Sequence, residues 1–362
     1  MTTDIFAPGV GQYDNIGDII LRRQLLDWVR PLGNMHVYIG HAPDGYAGGL
    51  RLEPGDITYE SFAKWYLAGL RSALLGRARY VFKPGEIQLT LIGMKEHVGM
   101  LPLLALIRLR GGRSVRVGVG ARNFAPLPRL LMRPSIALSA FTAWRDQCTT
   151  DYLGGVTMPD LAFGEGEVDP GAADAIRDTI VVEMRSDRPY PSGAWISAVR
   201  GLADARGWRI VAVTQVLRDS ERTRQLAADL GGEVLDWDGR GHANQEGRLR
   251  DEYKRCAVAI SDRLHVLVSA YTEGAVPVAP LSDNSDKIRR HFDEAGVTDI
   301  AFPSAGTSAR QLGLAIDAVI ERRDDILAAL PATRERLENI RQHLIVALAV
   351  PSDAQPRTLT RA

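Results

Sequence analysis

Short apolar runs alternate along this chain with longer segments in which apolar residues recur every three or four positions. The first pattern is typical of buried parallel strands and the second of helices that cover them. Predicted strands include residues 4–10, 36–39, 79–82, 114–120, 136–139, 179–184, 208–214, 233–235, 256–260 and 275–280. Predicted helices include 19–29, 58–75, 95–110, 193–206, 219–230, 244–255, 308–322 and 325–350. The repeated alternation predicts an α/β fold with parallel sheets.

The alternation is interrupted once, by a stretch rich in Gly, Pro and acidic residues. A chain of 362 residues is also long for a single hydrophobic core. We therefore predict two Rossmann-like doubly wound α/β domains that face a cleft, residues 1–165 and 179–350, joined by a linker at 166–178. Residues 351–362 are predicted to be a disordered tail.

Composition narrows the class of protein. Lys plus Arg and Asp plus Glu both number 44, so the formal net charge is zero and no global field attracts nucleic acid. No leader-like segment is seen at the N-terminus, and the apolar run 100–107 is shorter than the ~20 residues that cross a bilayer. No His/Cys/Asp cluster has metal-ligand spacing. These features favour a cytosolic enzyme without a metal site.

The segment Ser261-Asp262-Arg263-Leu264-His265 follows a predicted strand and opens a helix of small apolar residues. Ser261 or Asp262 is expected to cap that helix, which puts Arg263 and His265 in its first turn. Cations there oppose the helix dipole unless an anion lies between them. The pattern therefore indicates a phosphate site.

Three further features of the first half are candidates. Asn15 or Asp18 can cap the first helix, and Asp18 is either a cap alone or a catalytic carboxylate. His41 lies in a long loop rich in Gly, Pro and Asp, where it is either a site residue or merely solvated. The basic residues Arg122, Arg129 and Arg133 alternate with Pro and Leu. That stretch is either a solvated face or a contact with a membrane surface or lipid-linked acceptor.

Four separated motifs resemble the polysaccharide pyruvyl transferase family. They are Asn15-Ile16-Gly17-Asp18, Trp144-Arg145-Asp146 with Pro159-Asp160-Leu161-Ala162-Phe163, Ile260-Ser261-Asp262-Arg263-Leu264-His265, and Asp286-Lys287-Ile288 with Phe292. They occur in the order of the family and span most of the chain. One departure is the turn Lys83-Pro84-Gly85-Glu86, where members of the family usually carry a Gly-Gly-Gly turn.

The resemblance implies a fold similar to GT-B glycosyltransferases, with the acceptor on the first domain and the donor on the second. It implies phosphoenolpyruvate as co-substrate, no cofactor, a pyruvate ketal on a glycan or glycolipid as product, and Arg145, Arg263 and His265 around the donor. Arginine forks suit its phosphate and carboxylate, and Arg185 and Lys287 are expected to add contacts. Asn15, Gly17, Asp18 and His41 are expected on the acceptor side.

Proton transfer is assigned to His265, because histidine is the side-chain type whose unperturbed pKa lies near neutrality, and Asp18 is expected to accept a hydroxyl proton. Arg145 with Asp146 could instead be a local ion pair, and Arg185 and Lys287 could be surface charges. Two other functions stay open, a sugar-nucleotide-dependent glycosyltransferase of the same architecture and a catalytically silent glycan-binding module.

Overall fold

The first half of the chain folds into a parallel sheet flanked by helices. The computed structural model describes residues 2–166 and 176–349. The strands are β1 Asp4–Pro8, β2 Asn34–Tyr38, β3 Ile57–Tyr59, β4 Ala78–Val81, β5 Gly85–Ile87, β6 Ser114–Ala121, β7 Phe141–Trp144 and β8 Val156–Thr157. The helices are α1 Ile16–Val29, α2 Tyr46–Gly49, α3 Phe62–Leu74, α4 Lys95–Gly99, α5 Leu101–Leu109, α6 Pro126–Ala137 and α7 Gln147–Leu153. The strand order is β3-β2-β1-β4-β6-β7-β8, with β5 beside β6, and the paired strands are parallel.

The second half forms another parallel sheet, in the order β11-β10-β9-β12-β13-β14. Its strands are β9 Thr179–Glu183, β10 Arg209–Val213, β11 Glu233–Leu235, β12 Cys256–Ser261, β13 Val276–Leu281 and β14 Ala301–Pro303. Its helices are α8 Gly193–Arg206, α9 Ser220–Leu230, α10 His242–Arg255, α11 Leu264–Thr272, α12 Lys287–Glu294, α13 Ala309–Ile320 and α14 Arg323–Ala349. β9, β12 and β13 are buried at every position, which explains their continuous apolar sequence.

The two halves are joined by backbone hydrogen bonds and by a buried ion network. Leu217 N–H donates to the Asp14 carbonyl at 2.8 Å, and residue 15 forms an antiparallel bridge with residue 216. Behind this contact, Arg23 of α1 donates to Glu246 of α10 at 2.6 Å and to Glu165 at 2.9 Å. The terminal helix α14 returns to the first sheet and contacts β6 and β7. The domains are therefore held in one arrangement from several sides.

Two local predictions were wrong. Residues 95–110 form two helices rather than one, α4 and α5, because Pro102 starts a new helix and has no N–H to continue the previous one. Residues 136–139 were predicted to be a strand but include the last turn of α6 and the residues that follow it. A run of four apolar residues looks the same in either setting. The predicted linker lies largely, and the predicted tail entirely, outside the described residues.

Candidate active site

A cleft of about 400 Å³ lies where the carboxyl ends of both sheets meet. Loops that leave seven strands supply its walls, as is usual for open α/β sheets. The first half contributes Gln12, Asn15, Asp18, Glu86, Arg122 and Arg145, and the second half contributes Arg185, Asp187, Arg188, Gln215, Val216, Arg218, Asp262, Arg263, Leu264, His265, Leu281, Asp283, Ser285, Asp286, Lys287, Ile288 and Arg290. The cleft is thus polar, highly charged and shared between the domains.

The start of α11 differs from the sequence prediction in one detail. The N-cap residue is Arg263, and no side chain caps the helix. Ser261 instead accepts a hydrogen bond from the Arg263 N–H at 2.9 Å and donates to the Glu183 carbonyl. The Arg263 guanidinium is bound by the buried carboxylate of Asp219, with Nε at 2.7 Å from Oδ2. The Asp219 carboxylate therefore already offsets part of the positive charge of Arg263. The sequence pattern alone predicts a bound anion in that role.

Asp160 lies in the segment after β8 and contacts two residues of the cleft wall, Arg145 and His265. Its fully buried carboxylate accepts a hydrogen bond from Arg145 Nη1 at 2.8 Å and from the Ala162 N–H at 3.0 Å. Its Oδ1 lies 3.6 Å from His265 Nε2. Burial raises the pKa of Asp160, but the neighbouring His265 and Arg145 outweigh that effect and hold it well below its usual range. An ionised Asp160 therefore fixes Arg145 and lies beside the His265 ring.

The first turn of α1 packs directly against His265. Asn15 caps this helix by accepting a hydrogen bond from the Gly17 N–H at 3.0 Å, so the cap prediction for Asn15 is confirmed. A Cβ built on Gly17 would lie 2.6 Å from both Cβ and Nδ1 of His265. Gly17 has helical backbone angles, so space and not conformation requires a glycine here. The motif of the first domain thus supports the imidazole of the second.

Asp18 faces the cleft from the same turn. Its carboxylate lies 3.3 Å from Arg22 Nη1 and accepts a hydrogen bond from the Gln12 N–H at 3.1 Å. Burial raises the pKa of Asp18, yet Arg22, the Gln12 N–H, His265 and Arg145 together bring it below the ordinary value. Asp18 is therefore ionised and a weaker base than an ordinary carboxylate.

The remaining cations of the cleft also have carboxylate partners. Lys287, the first residue of α12, donates to Glu86 Oε2 of the first domain at 2.8 Å, and Arg185 binds Asp187 at 2.8 and 2.6 Å. Burial and the nearby Arg145 lower the pKa of Lys287. A bound anion must therefore displace these carboxylates from the cations, or bind the N–H groups of the cations that the carboxylates do not use.

Arg145 and Asp146 do not pair with each other. Arg145 binds Asp160, whereas Asp146 caps α7 through the Thr149 N–H at 2.8 Å and lies 3.2 Å from Arg290 Nη1. The interpretation of Arg145-Asp146 as a local ion pair was therefore wrong. The two neighbours point to different partners because Arg145 leaves the end of β7 toward the cleft while Asp146 begins a helix.

Most of the sequence candidates are brought together, and some functional neighbours were missed. Arg145, Arg185, Arg263, His265 and Lys287 line one cleft with Asn15 and Asp18, and Gly17 lies beneath His265. His41 is exposed and is not among the described residues that line it.

Asp160, Asp219 and Glu86 were not proposed as site residues. Asp160 lies in the motif Pro159–Phe163, which was a usable signal. No sequence signal of this kind marks Asp219, because this residue follows a loop and does not end a strand.

The fold and site define a class of protein. The structure is similar to HepE of Anabaena in complex with UDP and glucose, with a TM-score of 0.56 and 13% identity over 96% of this chain and 99% of that one. It is also similar to MnaA of S. aureus bound to UDP (TM-score 0.54, 13% identity, 98% and 100% covered) and to MurG of Acinetobacter baumannii (0.51, 12%, 96% and 99%). These likenesses show the two-domain GT-B fold of glycosyltransferases and epimerases.

Sequence comparison identifies the family. Residues 15–284 match the polysaccharide pyruvyl transferase family, so the chain belongs to that family of transferases. No curated protein matches the sequence significantly. No helix in 2–166 or 176–349 is long and apolar enough to cross a membrane, and no group of three His, Cys, Asp or Glu side chains in those ranges is placed to hold a metal ion.

Proposed function

We propose that the protein transfers the pyruvyl group of phosphoenolpyruvate to two hydroxyls of a saccharide, forming a ketal and releasing phosphate. The observation that carries the proposal is the convergence of Arg145 from the first domain with Arg263, His265 and Lys287 from the second on one cleft. Phosphoenolpyruvate carries a phosphate and a carboxylate on three carbons, so it requires several cations within a short span.

The N–H groups that Arg263 and Arg145 do not use within the protein suggest which residues bind the phosphate of phosphoenolpyruvate and which bind its carboxylate. Arg263 uses Nε and Nη2 on Asp219, and Nη1 has no hydrogen bond to the residues the structure describes. Arg145 uses Nη1 on Asp160. We assign the phosphate to Arg263 with Lys287, since both lie at helix N-termini. The carboxylate is assigned to Arg145, with Arg185 as a further contact.

The reaction needs three proton transfers. The first hydroxyl gives its proton to a base as its oxygen attacks C2 of the enol, and C3 gains a proton and becomes a methyl group. The C2–O bond to phosphate then breaks, and the second hydroxyl attacks C2 and passes its proton to the departing phosphate, which closes the ketal. We assign delivery of the C3 proton to His265 Nδ1, because Nε2 is buried and faces Asp160. Asp18 remains the candidate base, although its lowered pKa favours His265 for the return transfer as well.

One observation favours phosphoenolpyruvate over a sugar nucleotide. Among the described residues that line the cleft, His265 is the only aromatic side chain, and it is held between Gly17 and Asp160. A nucleobase is often bound against an aromatic side chain, and the described residues of the lining include no Phe, Tyr or Trp. The cleft instead offers charge, which suits a small dianion.

Phosphate release from phosphoenolpyruvate with a panel of saccharide acceptors tests the proposal. We expect acceptor-dependent release in the wild type and loss of roughly two to four orders of magnitude in His265→Ala. The matched control is His343→Ala, since this histidine is exposed on α14, away from the cleft. Equal rates in the wild type and His265→Ala would overturn the site assignment.

A thermal-shift comparison separates the alternatives. Stabilisation by phosphoenolpyruvate, weakened in Arg263→Met, is expected. Stabilisation by nucleoside diphosphates alone would identify a glycosyltransferase instead. Glycan binding without phosphate release for any acceptor would identify a binding module.

A further inference from the structure

The outward face of α6 is apolar and basic, where a helix that covers a sheet normally presents polar residues. Its inward positions Pro128, Met132 and Ser135 are buried. Leu127 and Leu130, one turn apart on the other side, are 55% and 56% exposed. The charged residues of this helix are Arg129 and Arg133.

A neighbouring loop extends this apolar face. Leu91 and Ile92, in the loop before α4, are 59% and 76% exposed. Two hydrogen bonds between Leu89 and Asn123, of 2.8 and 2.9 Å, tie this loop to the segment before α6, and α4 itself packs against α6. We call the loop 88–94, α4 and the outer face of α6 together the α6 surface. Several aliphatic side chains of this surface are thus exposed, and grouped exposed apolar residues mark interaction sites more often than single ones do.

The α6 surface is positive within a protein of zero net charge. Residues 122–137, which include α6, contain Arg122, Arg129 and Arg133 and no Asp or Glu. Within the described residues, Lys95 and Arg133 are exposed and have no carboxylate partner, and Arg129 stacks on Tyr152 at 4.5 Å. Glu96 of α4 is bound to Lys83, Glu86 is bound to Lys287 and lies 3.7 Å from Arg122, and Asp151 on α7 accepts from Gln147. The positive charge of the surface is therefore not neutralised locally.

We propose that the α6 surface binds a membrane of anionic phospholipids. Exposed leucines that enter the headgroup region and cations that meet lipid phosphates are the two contributions a peripheral contact requires. A second copy of this chain is a poorer partner, because a two-fold interface would bring the same cations of both copies together. The positive charge of the α6 surface thus favours an anionic bilayer over a second copy of the chain as its partner.

The position of this surface also connects it to the cleft. A groove of about 370 Å³ runs over the first domain between Asp18 and the loop that begins at Gln88, and Arg122 borders both this groove and the cleft. A saccharide whose lipid anchor lies in the bound membrane would reach Asp18 along this groove. This route of the saccharide along the groove rests on the proposed function, and it implies a lipid-linked saccharide as the acceptor. The binding of the membrane does not depend on the proposed function.

Co-sedimentation with vesicles tests the proposal. The vesicles are phosphatidylcholine alone or with about one third phosphatidylglycerol, a composition that gives the strongly negative surface the cations require. We expect binding to the anionic vesicles only, weakened roughly 30-fold in Lys95→Gln/Arg133→Gln, since each cation near such a surface contributes about a factor of five. Leu127→Ser/Leu130→Ser should weaken it roughly tenfold or more.

The control Arg200→Gln/Arg310→Gln removes the same charge from exposed positions of the second domain and should bind like the wild type. The altered side chains are exposed, and circular dichroism confirms that each variant is folded before it is compared. Equal binding of all variants, or no binding to anionic vesicles, would overturn the proposal. A dimer in light scattering that the leucine variant dissolves, without vesicle binding, would identify a second copy as the partner. Because the assay contains no phosphoenolpyruvate, its failure leaves the donor chemistry untouched.

Discussion

Replacing Gly17 by alanine tests whether the close approach of α1 to His265 matters for turnover. The added Cβ would lie 2.6 Å from Cβ and Nδ1 of His265, whereas such atoms normally stay about 3.5–4.0 Å apart. The overlap of roughly 1 Å falls on the His265 ring, which is 12% exposed and lies 3.6 Å from Asp160, rather than on a flexible chain end. His265 or the start of α1 must therefore move.

The expected effect on turnover is much larger than the effect on folding. A displacement of about 1 Å at a reacting group can cost 10²-fold in rate, so we expect kcat to fall roughly 100-fold. Overpacking costs about 1–3 kcal/mol, and the higher helix propensity of alanine offsets about 0.5–1 kcal/mol of that. The free energy of unfolding should thus fall by roughly 0–2.5 kcal/mol.

Steady-state phosphate release and denaturant unfolding measure the two effects in parallel. Gly201→Ala is the matched control, because the Cβ added to this helical glycine of α8 would have no atom within 4 Å. It should gain about 0.5–1 kcal/mol and retain wild-type kcat. A folded Gly17→Ala enzyme with wild-type kcat would refute the role we give to this contact.

Three further variants address the carboxylates and the domain contact. Asp160→Asn should lower kcat at least about tenfold and destabilise the fold by roughly 3–5 kcal/mol at pH 7, because it leaves Arg145 buried without a counter-ion. Since the folded-state pKa of Asp160 is depressed, its stabilisation is present above the ordinary pKa of 3.8 and is lost as the pH falls further, so unfolding curves of variant and wild type should converge in acid. Glu86→Gln frees Lys287 and should lower KM for phosphoenolpyruvate about twofold to fivefold, and an unchanged or higher KM would remove Lys287 from the donor site. Arg23→Met should cost roughly 3–5 kcal/mol in denaturant unfolding, against less than about 1 kcal/mol for Arg341→Met, whose partner Glu338 is exposed. Similar losses in both would show that the domain contact is not stabilised by this network.

Much of the site could be predicted from the sequence because several of its residues directly follow the carboxyl ends of strands. Arg145, Arg185 and Arg263 each follow the end of a strand by one or two residues, and parallel strands bring such positions to one edge. The partners of these cations were not accessible in the same way. Asp219 meets Arg263 across 44 residues of chain, and only the packed structure fixes such a pairing.

The error at the helix start has a similar cause. Ser261, Asp262 and Arg263 all precede the first apolar turn of α11. The sequence alone does not show which of them is the last residue before the helix begins. The structure places that boundary at Arg263 because the Ser261 hydroxyl is engaged with β9 and with the Arg263 N–H.

The bridge between residues 15 and 216 has a consequence for recombination between members of the family. Leu217 N–H bonds to the Asp14 carbonyl, and Gly17 accommodates His265, so the start of α1 fits the second domain as closely as it fits its own sheet. A chimera cut at the domain boundary would join an α1 start from one parent to an α11 turn from another. Exchanging residues 12–18 together with the second domain should therefore preserve activity better than exchanging either alone.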